Sequence, residues 1–339
     1  MHRVRLGVLD VGSNTVHLLV VDAHRGAHPT PMSSEKSVLR LAEQLDGSGM
    51  LSRRGADQLV RSVAAAKAAA ERLDCEDLMA FATSAVREAG NSAEVLERVR
   101  GETGVDLQVL SGEDEARYTF LAVRRWYGWS AGRLLCLDIG GGSLELAIGV
   151  DEAPEEAFSV PLGAGRLTRT RFAHDPPTRD EVRETAEWLT DQLAPVAKKL
   201  RRAGEPDRVV ATSKTFRTLA RLTGAAPSSA GPRARRVLTD AGLRQLIAFI
   251  SRMPAADLAD LEGVSAGRAH QLVAGAMVAE ATMRALSLSE LEICPWALRE
   301  GVILRRLDHT NGLDQDAEAG RTRRTGDTGR TGRHGARWS

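Results

Sequence analysis

The sequence is short of lysine. Only Lys36, Lys67, Lys198, Lys199 and Lys214 occur among 46 basic residues, and all the others are arginine. That skew reflects coding bias and assigns no function by itself. Acidic residues number 45, so the formal net charge is +1. A chain so nearly neutral carries no electrostatic signature of nucleic-acid binding, and no specific nucleic-acid partner is expected. Cysteine is equally sparse. Cys75, Cys136 and Cys294 are odd in number, far apart and set in or beside apolar runs, and no Cys-x-x-Cys occurs. This excludes a disulfide framework and reads as reduced, buried thiols in a cytoplasmic protein. No apolar run approaches the roughly 18 residues of a membrane span, so no membrane partner is expected. The N-terminus, Met1-His2-Arg3-Val4-Arg5, runs straight into a strand without the apolar run and small-residue cleavage site of a secretory signal.

What is present is enough for real cores. Apolar residues make up 42% of 339, and that length favours two domains. One stretch occurs twice. It reads Leu9-Asp10-Val11-Gly12-Ser13-Asn14-Thr15-Val16-His17-Leu18 near the start and Leu137-Asp138-Ile139-Gly140-Gly141-Gly142-Ser143-Leu144-Glu145-Leu146 in the middle. Each copy reads as a strand, a tight turn and a returning strand. Glycine in the turn allows positive φ and lets backbone N–H groups approach a ligand, while Ser, Asn and Thr add donors. The strand-end aspartates, Asp10 and Asp138, suit a divalent cation or a water. Asp138 and Glu145 lie seven residues apart, one on each arm, so the hairpin brings both carboxylates to one mouth. Paired oxygen ligands suit Mg²⁺, with Mn²⁺ as a substitute. Two such turns facing each other make a cleft for phosphate and metal.

The remaining pattern alternates strand and helix, which indicates an α/β fold. Ser52 caps a helix from Arg53 to Leu73 whose stripe is Leu59, Val60, Val63 and Ala66. A short strand over 78–82 leads into Thr83-Ser84 and a helix near Ala85, a further helix spans 93–102, and Leu107–Leu110 is a strand. Residues 126–132 cross to a second domain, dividing the chain at 128/129. There the second hairpin is followed by a helix over 178–202, a strand at Val209–Ala211, helices near 240–252 and 265–286, a strand at Leu291–Ile293 and a last helix over 297–307. From His309 onward almost nothing is apolar, and six arginines follow residue 320. That tail reads as a solvated, disordered end.

Three further groups are candidates for chemistry. Glu113-Asp114-Glu115 opens a helix after a strand, where it reads equally as a capping turn or as the source of a general base aimed at a water. Thr83-Ser84-Ala85-Val86-Arg87 and Thr212-Ser213-Lys214-Thr215 each follow a short apolar strand and open a helix, a setting that suits phosphate with a cation one turn in. Gly163-Ala164-Gly165-Arg166 and Arg268 are weaker candidates.

These motifs, with Leu110-Ser-Gly-Glu-Asp-Glu115-Ala-Arg, Pro161-Leu-Gly-Ala-Gly-Arg166-Leu-Thr and Leu298-Arg-Glu-Gly301, resemble the exopolyphosphatase / guanosine pentaphosphate phosphohydrolase (Ppx/GppA) family, collinearly from about residue 5 to 307. The resemblance implies two actin-like, ribonuclease-H-type domains of the sugar kinase/Hsp70/actin superfamily, with the active site in the cleft between them. Residues from about 297 would belong with the first domain. It also implies Mg²⁺-dependent hydrolysis of a terminal phosphate on polyphosphate or pppGpp. In this chain Glu115 would be the general base, and Asp138, Glu145 and Asp10 would serve metal and water. Gly12, Ser13, Asn14, Thr15, Arg87, Gly140, Gly141, Gly142 and Ser143 would meet phosphate, as would Ser213, Lys214 and Arg268. The two-domain length resembles actinobacterial members acting on short chains, and a homodimer accords with the resemblance.

Overall fold

The computed structural model describes residues 4–24 and 28–308; the tail expected at 309–339 lies outside the described residues. The first half contains β1 (Val4–Val11), β2 (Thr15–Ala23), β3 (Pro31–Val38), α1 (Arg53–Arg72), β4 (Asp77–Ala82), α2 (Ser84–Arg87), α3 (Ser92–Thr103), β5 (Gln108–Val109) and α4 (Gly112–Tyr127). The second contains β6 (Leu134–Ile139), β7 (Leu144–Gly149), β8 (Glu156–Val160), α5 (Ala164–Arg171), α6 (Arg179–Arg202), β9 (Arg208–Thr212), α7 (Ser213–Leu222), β10 (Val237–Thr239), α8 (Asp240–Ile250), α9 (Ala255–Ala259), α10 (Leu272–Ala285) and β11 (Glu290–Ile293). A last helix, α11, covers 298–308.

The strand orders are β3-β2-β1-β4-β5 and β10-β11-β9-β6-β7-β8. Both contain one design. An antiparallel meander of three strands (β1-β2-β3, β6-β7-β8) pairs through its first strand, in parallel, with the strand that follows the first crossover (β4, β9). The fold is therefore a ribonuclease-H-type unit used twice, giving two actin-like domains with a cleft between them. Helices cover both faces of the central strands, which explains their near-continuous apolar runs: Val8, Leu9 and Val11 in β1 and Leu134–Leu137 in β6 are all buried. The expected cap on α1 is present, with Ser52 Oγ accepting from the Gly55 N–H at 3.1 Å.

The last helix returns to the first half, as the resemblance implied, and α4 makes the opposite exchange, which the sequence did not suggest. Each half hands a helix to the other. α4 follows the first sheet in the chain, yet its Ala116, Phe120 and Val123 pack against Leu134, Cys136 and Ala147 of the second sheet. α11 follows the second sheet, yet Ile303 packs into the first against Leu6, Val8, Leu19 and Phe81. The two exchanged helices cross where Gly301 backs onto Tyr118.

Two local readings also change. The helix expected over 265–286 is broken: residues Ala266–Gln271 form a 3-10 turn before α10 begins at Leu272. The turn lifts Arg268 toward the cleft. The helix after Thr83 is one turn long, Ser84–Arg87.

Candidate active site

The two hairpins superpose in their details. Asp10 stands opposite His17 across β1 and β2, and Asp138 stands opposite Glu145 across β6 and β7. Each turn is closed by the same hydrogen bond: Gly12 N–H donates to the Thr15 carbonyl, and Gly140 N–H to the Ser143 carbonyl, both at 2.9 Å. The glycines are not required for positive φ, as the sequence suggested; Gly12, Gly140, Gly141 and Gly142 are absent from the left-handed region. They are required by proximity. A β-carbon on Gly141 would stand 2.9 Å from Ser13 Cβ, and one on Gly142 would stand 2.4 Å from Ser84 Oγ. Gly163 is tighter still, at 2.3 Å from the Gly142 carbonyl carbon and the Ser143 nitrogen. The turn before α5 thus meets the second hairpin turn backbone to backbone, and the second hairpin turn itself closes on the side chains of Ser13, Asn14 and Ser84, which leaves no room for a β-carbon.

Between them lies a cleft of about 300 Å³. Of the expected residues, Asp10, Gly12, Ser13, Asn14, Thr15 and Glu115 line it from the first half and its crossing helix. From the second half come Asp138, Gly140, Gly141, Ser143, Glu145, Ser213, Lys214 and Arg268. Two do not. Gly142 turns away to pack on Ser84. Arg87 lies behind Glu115, paired with its carboxylate and donating to the Leu110 carbonyl at 2.8 Å. The residue expected to meet phosphate is thus paired with the expected base. Asn14 is also occupied: it and Gln271 exchange two amide hydrogen bonds at 3.2 Å across the cleft.

Sequence reasoning missed Lys36, Arg217 and Arg299, which line the same space. Lys36 was legible only through register, since β3 places it beside His17. Arg217 follows Lys214 by three residues on α7, so the helical spacing carried that signal. Arg299 arrives with α11 from the far end of the chain and reaches Asp10 at 3.5 Å.

The electrostatics set a group of crowded cations against buried carboxylates. Burial and mutual repulsion lower the pKa of Lys36, Lys214, Arg217 and Arg268. The Nε of Arg299 is buried with no hydrogen-bond partner among the described residues. Such a donor calls for an acceptor from outside the chain. On the acidic side, burial pushes Glu115 up to about 7 against the opposing pull of Arg87. Burial lifts Asp138 to about 6 despite Arg217, Arg268 and a hydrogen bond from Ser213. Glu145 rises further through burial and the neighbouring Glu115 and Asp138, although Ser143 and Ser159 donate to it. Ser213 itself has φ of 78°. A non-glycine residue held there stores local strain at the mouth of α7.

Of the carboxylates expected to serve metal and water, Asp138 and Glu145 stand opposite each other on one hairpin, and Asp10 lines the same cleft from the other half. No group of three His, Cys, Asp or Glu side chains able to hold an ion occurs among the described residues. The physical reason is that Asp10 belongs to the opposite half and faces Arg299. The buried Asp138–Glu145 pair still fits a hard cation that completes its shell with water and phosphate oxygens.

Fold and cleft together define a class: two-domain actin-like proteins with a polar site between the halves. Within it the chain belongs to the Ppx/GppA phosphatase family, whose profile matches residues 20–310. It is similar to Exopolyphosphatase 1 of Mycobacterium tuberculosis, with 68% identity over 305 residues that cover 90% of this chain and 89% of that protein. Exopolyphosphatase 1 of Mycobacterium leprae is 66% identical over 90% of each chain. Among solved structures, the Aquifex aeolicus Ppx/GppA family member superposes with a TM-score of 0.76 at 26% identity, covering 91% of this chain and 99% of that one.

Proposed function

We propose that this protein is an exopolyphosphatase, a phosphoric anhydride hydrolase that releases orthophosphate from the end of inorganic polyphosphate. The observation that carries this reading is the confrontation, in one cleft, of buried Glu115 with the cations Lys214, Arg217, Arg268 and Arg299. Family membership and the names of the mycobacterial relatives support it. In this reading the terminal phosphoryl group sits between the two glycine turns. Glu115 takes a proton from a water in line with the bridging oxygen. The chain leaves as an oxyanion, so charge stabilisation and positioning dominate over acid help. Asp138 and Glu145 would hold Mg²⁺, or Mn²⁺ in its place, and that ion supplies charge neutralisation on phosphate oxygens.

Phosphate release should be measured from short and long polyphosphate, pppGpp and ADP, each with Mg²⁺ and with chelator. Polyphosphate should be cleaved, short chains best, and chelation should abolish release until Mg²⁺ is restored. Cleavage of pppGpp alone would replace polyphosphate with the alarmone as substrate.

The pH profile gives a second test. A general base must be unprotonated, so kcat/KM should rise with pH through about 7, the value to which burial brings Glu115. Arg87 pulls that value down, so Arg87→Met should move the acid limb to higher pH. A limb that stays in place would remove Arg87 from control of the base.

Among the described residues no helix is long and apolar enough to cross a membrane. The three cysteines are free, which supports a reducing, cytoplasmic setting. A homodimer remains the proposed assembly. The first domain boundary is proposed at 111/112 in place of 128/129, because α4 lies on the second sheet, and the return to the first domain near 297 is kept, because α11 lies on the first.

A further inference from the structure

A second depression lies directly behind one wall of the cleft. Its volume is about 410 Å³, and Arg87, Gly112, Ser143, Phe158 and Ser159 border it. Ser143 borders both spaces. Elsewhere the partition is one pair of side chains thick. Glu115 faces the cleft, and Arg87, its ion-pair partner, faces the depression. Glu145 faces the cleft, and Ser159, which donates to it at 2.9 Å, faces the depression. The neck between α4 and β8 is narrow because of glycine: a β-carbon on Gly112 would stand 2.4 Å from the Ser159 side chain and 3.6 Å from the Arg87 guanidinium.

The partition matters because of what a polymer does to the cleft. A polyphosphate whose last phosphate lies beside Glu115 fills the cleft with the phosphates that follow. The orthophosphate cut from its end then has the shortened chain on one side and the Glu115–Arg87 wall on the other. It leaves either after the whole chain has dissociated or through the wall. Arg87 presents its guanidinium, a fork matched to phosphate oxygens, on the far side of that wall. The two carboxylates at the rim of the depression do not bar an anion outright, since Glu88 pairs with Arg166 and Glu113 with Arg117.

We propose that the depression behind Glu115 is an exit site for orthophosphate, with Arg87 as its receiving residue and the Arg87–Glu115 pair as its partition. This rests on the polyphosphate-hydrolase reading of the cleft. Its ligand is inorganic phosphate, and it lets phosphate leave while the chain stays bound.

The test is product inhibition by inorganic phosphate with long polyphosphate as substrate. Phosphate entering from the rear binds while the chain occupies the cleft, so it should lower kcat and leave KM unchanged. Glu113→Lys places a cation on the exposed rim in place of a carboxylate. It should tighten phosphate inhibition several-fold, with kcat and KM in the absence of phosphate as in the wild type. Strictly competitive inhibition, unaltered in Glu113→Lys, would overturn the exit site and leave the activity standing. Failure to release any phosphate from polyphosphate would overturn the parent reading, and the exit site with it.

Discussion

Glu115→Gln should lower kcat on polyphosphate by about a hundred- to ten-thousand-fold, with KM changed little. The magnitude is that of removing a positioned general base. The substitution is close to isosteric, so the first turn of α4 and its Ser111 cap, which accepts from the Asp114 N–H at 3.0 Å, stay in place. KM should hold because the cations of the cleft are untouched, and because Arg87, freed of its carboxylate, does not line the space the chain occupies. The residual activity should also lose the acid limb near pH 7, since the group that titrates there is gone. Steady-state kinetics across pH, beside a melting curve to establish folding, give the answer. A variant that keeps wild-type turnover would pass the role of base to Glu145, the other buried carboxylate in the same space.

Gly301→Ala carries the second large effect, and it acts far from the chemistry. A β-carbon at this position would stand 1.9 Å from the Tyr118 carbonyl oxygen and 2.5 Å from its carbon. Backbone cannot rotate aside as a side chain does, so α11 and α4 must move apart. Overpacking of this kind costs about 1–3 kcal/mol or more. At roughly 2–4 °C per kcal/mol for a domain of this size, Tm should fall by several degrees. Activity should fall with it, because the helix that is pushed carries Glu115. Gly101→Ala is the control. Gly101 lies inside α3 with nothing within 4 Å of its β-carbon position. That change should be neutral or stabilising by about 0.5–1 kcal/mol. Equal melting temperatures for Gly301→Ala and wild type would mean that the crossing yields easily.

Much of the site was legible because it is written locally. A hairpin with a four-residue turn forces Asp138 opposite Glu145, and the register bears this out. The Ser52 cap and the stripe of α1 were equally local. The misses share one cause: they depend on contacts between residues far apart in sequence. Arg299 reaches Asp10 across most of the chain. Arg87 was read from its place one turn into a helix after a strand, and that place gave no sign of its pairing with Glu115, which was fixed by where α4 packs. The turn glycines were read for their φ freedom, whereas their need arises from the other half pressing on them. Helix α4 was assigned by continuity to the half that precedes it, and only its Ala116–Phe120–Val123 face, matched to the second sheet, reveals its real partner.

The crossing of α4 and α11 bears on how the protein comes into being. During synthesis the first sheet emerges before the second, but one of its faces waits for Ile303 and its neighbours, which are made only after the whole second sheet. The nascent chain therefore holds an incomplete first core while the whole second sheet is being translated. Neither half is a self-sufficient unit: cut at residue 128, the first piece would expose the apolar face of α4 and lack α11. Folding should be a single cooperative event that waits for residue 308, and the two lobes that bind one substrate are for the same reason inseparable in stability.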